Sequence, residues 1–116
     1  MSRSWPLRVQ DIAAAIDEIV EFADNMTFEQ FCADRRTQKA VIANFSIIGE
    51  AASHIPEEIT NSYLTIPWQS MKDMRNVVVH VYFGVDHAVV WKTIREDLPE
   101  VRKPLQILLE SVKDQL

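Results

Sequence analysis

The chain has 116 residues, 47% of them hydrophobic and 25% charged, with a formal net charge of −5. That length suits one domain, residues 1–116, able to bury a core of its own. The composition excludes a membrane-spanning protein, because no apolar run approaches the roughly 20 residues a span requires, and its acidity argues against a protein built to coat nucleic acid.

The charge is unevenly spread. Seven acids (Asp11, Asp17, Glu18, Glu21, Asp24, Glu29, Asp34) face only Arg3 and Arg8 in the first 34 residues, and the remainder of the chain is balanced. A nucleic-acid surface is therefore possible outside that acidic third, with modest affinity from phosphate contacts alone. The first twenty residues lack the basic-then-apolar layout of a signal peptide. A single cysteine, Cys32, has no partner for an intramolecular disulfide. Both features make the cytoplasm the expected location.

Two glycines in the whole chain are poor material for hairpins and point to helices. The first is expected to start near Ser4, with Pro6 in its opening turn and Ile12, Ile16, Ile19 and Ala23 on one apolar face. Thr27-Phe28-Glu29-Gln30 reads as a capping box that opens a short helix carrying Phe28, Phe31 and Cys32. Asp34 is placed to cap the next, whose inward stripe is Val41, Phe45, Ile48 and Ala52 and which ends before Pro56. "PEEIT" is a further turn. Ile66-Pro67-Trp68 opens a helix with Met71 and Met74 in its core face. Gly84 is expected to close that helix and Asp86 to cap a following one with Val89, Val90 and Ile94. Asp97 similarly precedes a C-terminal helix, which Pro104 should kink or delay. The expected architecture is an all-α, antiparallel bundle of about five principal helices.

Within the fifth of these segments, "RNVVVHVY" places Arg75, Asn76, His80 and Tyr82 among valines. The β-branched run taken alone would suit a strand. Its continuity with residues 67–76 and the lack of turn signals favour helix. On a helix Arg75 and Tyr82 are nearly eclipsed, and Asn76 and His80 share an adjacent face. Such a set is either a hydrogen-bonded structural cluster or a reaction centre. As a centre it suits RNA cleavage by the substrate's own 2′-OH without metal. Histidine can move the protons near neutral pH, and arginine can hold two phosphate oxygens on its planar fork. One histidine cannot easily be acid and base in the same step, so the chemistry calls for two copies of His80 in one cleft, hence a two-fold dimer.

The same stretch fits the R-x-x-x-x-H-x-Y motif and resembles the HepT-like toxins of the HEPN superfamily. "FCADRRTQKAVIANFSIIGEAASHIP", "IPWQSMKDMRNVVVHVYFGVD" and "VWKTIREDLP" also look like segments of that family, in order, over roughly residues 8–110. The resemblance implies a helical homodimer with the motifs of both protomers facing a shared cleft. It implies a metal-independent endoribonuclease that needs no cofactor and acts as the toxin of a type VII toxin–antitoxin pair. The implied antitoxin is a minimal nucleotidyltransferase that transfers AMP from ATP onto the motif tyrosine. Arg75 and His80 then become the catalytic pair, Asn76 a supporting residue and Tyr82 the AMP acceptor.

Other residues were open to two readings. Glu50, after Gly49, is either an exposed or helix-end residue or one that orients His80 or Arg75. Arg35, Arg36 and Lys39 read as a solvated helix start ahead of an RNA or antitoxin contact, and Lys72 as a possible extension of the phosphate surface. His54 and His87 show no metal-ligand spacing. Trp68 and Trp91 read as core or interface anchors, and Met71 and Met74 as core. Two rival functions remain: a non-catalytic helical module that binds a nucleotidyltransferase, and direct nucleotide binding by the Arg75–Tyr82 face.

Overall fold

Helix α1 (Trp5–Ala23) starts after Ser4, with Pro6 in its first turn, where no amide hydrogen is required. This is a computed structural model, which describes residues 3–82 and 86–116 and, within them, the side chains of all but residues 77–82. Every residue of the expected apolar face of α1 is buried: Ile12, Ile16, Ile19 and Ala23. After it, Asn25 takes a positive φ of 62°, a conformation asparagine tolerates well, and turns the chain toward the next helix.

Helix α2 (Phe28–Ala33) opens with the reciprocal bonds of a capping box. The Gln30 amide donates to Thr27 Oγ1 at 3.1 Å, and the Thr27 amide donates to Gln30 Oε1 at 2.9 Å. Its C-terminal carbonyls, Phe31 and Cys32, accept from the Gln38 side chain. Helix α3 (Arg35–Ala52) is capped by Asp34, which accepts from the Thr37 amide at 3.0 Å and from the Thr37 hydroxyl at 2.7 Å.

Those two bonds, the amide bond first, lower the Asp34 pKa below the ordinary aspartate value. A carboxyl with a lowered folded pKa contributes stability that is complete above its unfolded pKa and lost as pH falls through the folded one. Unfolding followed between pH 2 and 5 should therefore show a shallower acid limb for Asp34→Asn than for the wild type. Identical limbs would mean the cap carries no proton linkage.

Helix α4 (Glu57–Ser62) follows Pro56. Helix α5 (Trp68–Tyr82) runs without interruption through the valine-rich stretch, so helix prevails over strand there. Its buried side is Trp68, Met71 and Met74, and the Trp68 indole donates to the Tyr63 carbonyl at 3.1 Å. The expectation that Gly84 closes this helix lies outside the described residues.

Asp86 caps α6 (His87–Lys92) through a 3.0 Å bond from the Ala88 amide. Val90 and Ile94 are buried, whereas Val89 is half exposed. Asp97 directly precedes α7, as expected, but it neither caps that helix nor interrupts the helical path. The chain passes from α6 through a π-helical turn, Thr93–Asp97, directly into α7 (Leu98–Val112). Asp97 has helical dihedrals and makes no capping bond. Proline supplies a physical reason. Pro99 has no amide hydrogen, and its ring would crowd the carbonyl one α-turn back, so a locally wider turn accommodates it without ending the helix. Pro104 likewise sits inside α7 and does not delay its start. A 3₁₀ turn, Lys113–Gln115, follows.

Helix α3 packs against both α1 and α5, and α7 packs against α1. Arg102 grips Asp17 with two bonds of 2.9 and 3.1 Å, while Arg95 reaches the α1 end, donating to the Ala23 and Met26 carbonyls at 3.3 and 2.7 Å. These contacts set α1 and α7 antiparallel. The Arg95 guanidinium also stacks over Trp91, 4.5 Å from the ring centroid, so Trp91 anchors this corner as a packing residue. The shared core is formed by Val41, Phe45 and Ile48 of α3, the α1 face, Met71, and Leu98, Leu105 and Leu108 of α7. Every regular element among the described residues is helical, as the composition led one to expect.

Candidate active site

The position of Arg75 on α5 is unusual for a charged residue. It follows Met71 by four residues and Trp68 by seven, both of which are buried, so helical geometry aims its stem toward the bundle. A methionine or leucine would be the ordinary occupant. Arginine can stand there because the stem lies along apolar surface while the head reaches water. The residue is about half exposed, in keeping with that arrangement.

What the stem meets is Gly49 of α3. A methyl group on Gly49 would collide with Cγ of Arg75 and would stand 3.1 Å from its backbone nitrogen and 3.2 Å from Cδ. Gly49 is buried, and its lack of a side chain is what lets α5 press against α3 at this point. The next residue, Glu50, is exposed, and its Oε2 accepts from Arg75 Nη1 at 3.2 Å. The other carboxylate oxygen, Oε1, lies 3.5 Å from Nδ1 of His54. That imidazole nitrogen is also 2.9 Å from the Glu50 main-chain oxygen. Consecutive residues of α3 thus fix the stem and the head of one arginine.

Both readings of Glu50 meet in this geometry: it is exposed near the end of α3, and it pairs with Arg75. His54, which showed no metal-ligand spacing, has a different neighbour: the i,i+4 carboxylate. That spacing was visible in "GEAASH", as was a lone glycine inside a helical pattern, which usually marks a close approach. The 25-residue separation of Glu50 from Arg75 was not visible.

Asn76 is exposed beside Arg75 on α5, and Lys72 is half-buried one turn earlier. His80 and Tyr82 belong to the same helix as Arg75. Their side chains lie outside those described. At 1.5 Å per residue, His80 is about 7.5 Å and Tyr82 about 10.5 Å further along the axis than Arg75. The backbone therefore carries all four motif residues on one element. Arg35 and Arg36 are exposed at the start of α3, as a solvated helix start should be.

The most enclosed of the sizeable hollows among the described residues is elsewhere. It has a volume of about 430 Å³, with Phe45, Met71, Met74 and Val101 in its wall and Asp73, Glu96, Asp97 and Glu100 around it. Four carboxylates repel a polyanion, so electrostatics disfavour it as a nucleic-acid cleft. A shallower hollow of about 260 Å³ adjoins Glu50 and includes Arg8, Asp11, Ser46 and Ile47. No helix among the described residues is long and apolar enough to cross a membrane.

A family model described as Ribonuclease HepT-like matches residues 12–114. A protein named probable ribonuclease HepT, from Thermococcus cleftensis, is 45% identical over 102 residues, covering 88% of this chain and 93% of that protein. A protein named as a putative RNase, from Methanocaldococcus jannaschii, is 33% identical over 103 residues, covering 89% of this chain and 85% of its own. Another so named, from Caldanaerobacter subterraneus subsp. tengcongensis, is 30% identical over 105 residues and covers 90% and 94%. No solved structure gives a significant match.

Proposed function

The chain belongs to the ribonuclease HepT-like family, and from that premise we propose that it is an endoribonuclease whose reaction centre is built on α5. The observation that carries this reading is Arg75. Its stem occupies the α3–α5 seam and its guanidinium is half exposed, on the helix whose following turns hold His80 and Tyr82.

In this reading Arg75 binds the scissile phosphate and the extra negative charge of the phosphorane, for which its planar fork is suited. His80 takes the proton of the 2′-hydroxyl. The 2′-oxygen attacks phosphorus, and the bond to the 5′-oxygen breaks. A second His80, from the other protomer of a homodimer, protonates that leaving oxygen. The products are a 2′,3′-cyclic phosphate and a 5′-hydroxyl. Asn76 supports the cleft wall beside Arg75. Positive charge and both proton transfers come from side chains, so no metal is required.

The protein acts as the toxin of a toxin–antitoxin pair, and a minimal nucleotidyltransferase silences it. The Tyr82 phenol oxygen attacks the α-phosphorus of ATP, pyrophosphate leaves, and AMP remains on the ring. Seven residues from Arg75, that phosphate competes for the guanidinium and its bulk fills the cleft.

Intact mass and RNA cleavage, measured with and without a co-expressed minimal nucleotidyltransferase, test the whole reading. Cleavage that persists in EDTA is expected from the protein expressed alone. Addition of AMP at Tyr82 should coincide with its loss. A mass that never changes, together with unmodified protein that leaves RNA intact, would replace the nuclease with a non-catalytic binding module. Cleavage abolished by EDTA and restored by a divalent ion would overturn metal independence alone.

A further inference from the structure

We infer that Glu50 is a positioning residue for Arg75: it acts on the reaction through the arginine and not by touching RNA. The inference rests on the nuclease reading above. Its grounds are geometric. Arginine has several flexible torsions, and an arginine left to solvent samples many of them. Here two adjacent residues of one helix remove that freedom. Gly49 lets the stem settle against the α3 backbone, where Cδ and the main-chain nitrogen of Arg75 come within close contact of the space a methyl group would fill. Glu50 then takes Nη1 at 3.2 Å.

The carboxylate has a second neighbour. Its second oxygen faces His54 Nδ1 at 3.5 Å, and the same imidazole nitrogen is tied to the Glu50 carbonyl at 2.9 Å. The row His54–Glu50–Arg75 therefore runs along the surface of α3 to the seam. A single contact at Nη1 occupies one of the five donors of the guanidinium, leaving a fork for phosphate. The arrangement pre-orders the arginine without neutralising its whole face.

A structural role alone would act differently. All three side chains are about half exposed, and exposed ion pairs contribute little to stability. Glu50 should therefore matter to turnover far more than to folding. An alternative in which the carboxylate competes with RNA for Arg75 predicts the opposite kinetic sign, a lower KM when Glu50 is removed.

The test is steady-state cleavage of an RNA oligonucleotide by the full-length protein carrying Glu50→Ala or Glu50→Gln, with thermal melting of each. Glu50→Ala should lower kcat by at least tenfold while KM changes less than twofold and the melting temperature stays close to wild type. Glu50→Gln keeps an oxygen acceptor and should recover part of that loss. Unchanged kcat, or a fall in KM, overturns the inference while the nuclease reading survives. If the wild type does not cleave RNA, that reading fails, and the inference is judged by NMR of the unliganded protein. Slow rotation of the Arg75 guanidinium, lost in Glu50→Ala, sustains the positioning. Fast rotation in the wild type overturns it.

Discussion

Replacement of His80 by alanine should reduce RNA cleavage about a thousandfold or more, because general acid–base transfer by one side chain contributes about 10²–10⁴ and the proposed dimer would lose both copies together. Arg75 is untouched by the change, so RNA binding should persist. His80 lies near the C-terminal end of α5, beyond the buried Trp68, Met71 and Met74 that fix the helix to the core. Circular dichroism and melting temperature are therefore expected to match the wild type. The decisive measurement is single-turnover cleavage at saturating enzyme, which separates chemistry from binding. A variant that retains full activity sinks the mechanism. One that merely binds RNA more weakly, with an unchanged chemical step, would transfer His80 from proton transfer to substrate contact.

The second large effect is expected at Gly49, on the other side of the seam. Glycine in mid-helix is about 1 kcal/mol worse than alanine on propensity alone, so Gly49→Ala would stabilise an exposed helix. Here the added methyl meets the stem and backbone nitrogen of Arg75. Overpacking of this kind costs about 1–3 kcal/mol. The two contributions partly offset each other, and a net loss of about 1 kcal/mol is expected. Cleavage should suffer more, about a hundredfold, since a displacement of roughly 1 Å in a positioning element costs that much in rate. Denaturant unfolding and cleavage rates measured on one preparation decide the matter. Destabilisation with normal cleavage would show that Arg75 can reach its working position by another route.

The part of this molecule that was legible in the sequence is the part governed by local chemistry. Thr27, Asp34 and Asp86 announce helix starts because their side chains bond to amides two or three residues away. The faces of α1 and α3 are legible because burial repeats at helical spacing. Helix continuity through "VVVH" was legible despite the β-branched residues, since no turn residue interrupts it. Asp97 marks the start of α7 correctly but does not act as its cap. It looks like a cap before Leu98-Pro99, yet tertiary packing of Ile94 and Leu98 into the same core holds the chain helical across it. Arg75 stood out in the sequence through the motif. Its support did not, because the Gly49–Glu50 pair is brought to it only by the packing of α5 on α3.

The π-helical turn at Thr93–Asp97 has a consequence for how this chain can change length. A π turn accommodates one residue more than the α-helix it interrupts while the helix on either side keeps its facing. A single-residue deletion within it would restore regular α-helix and leave Val101, Leu105 and Leu108 turned toward the core. The same deletion within Leu98–Val112 would rotate everything beyond it by about 100° and turn part of that row out to solvent. The turn is thus a slack joint, where one residue can be lost without disturbing the register of the closing helix, at the cost of the room it gives Pro99.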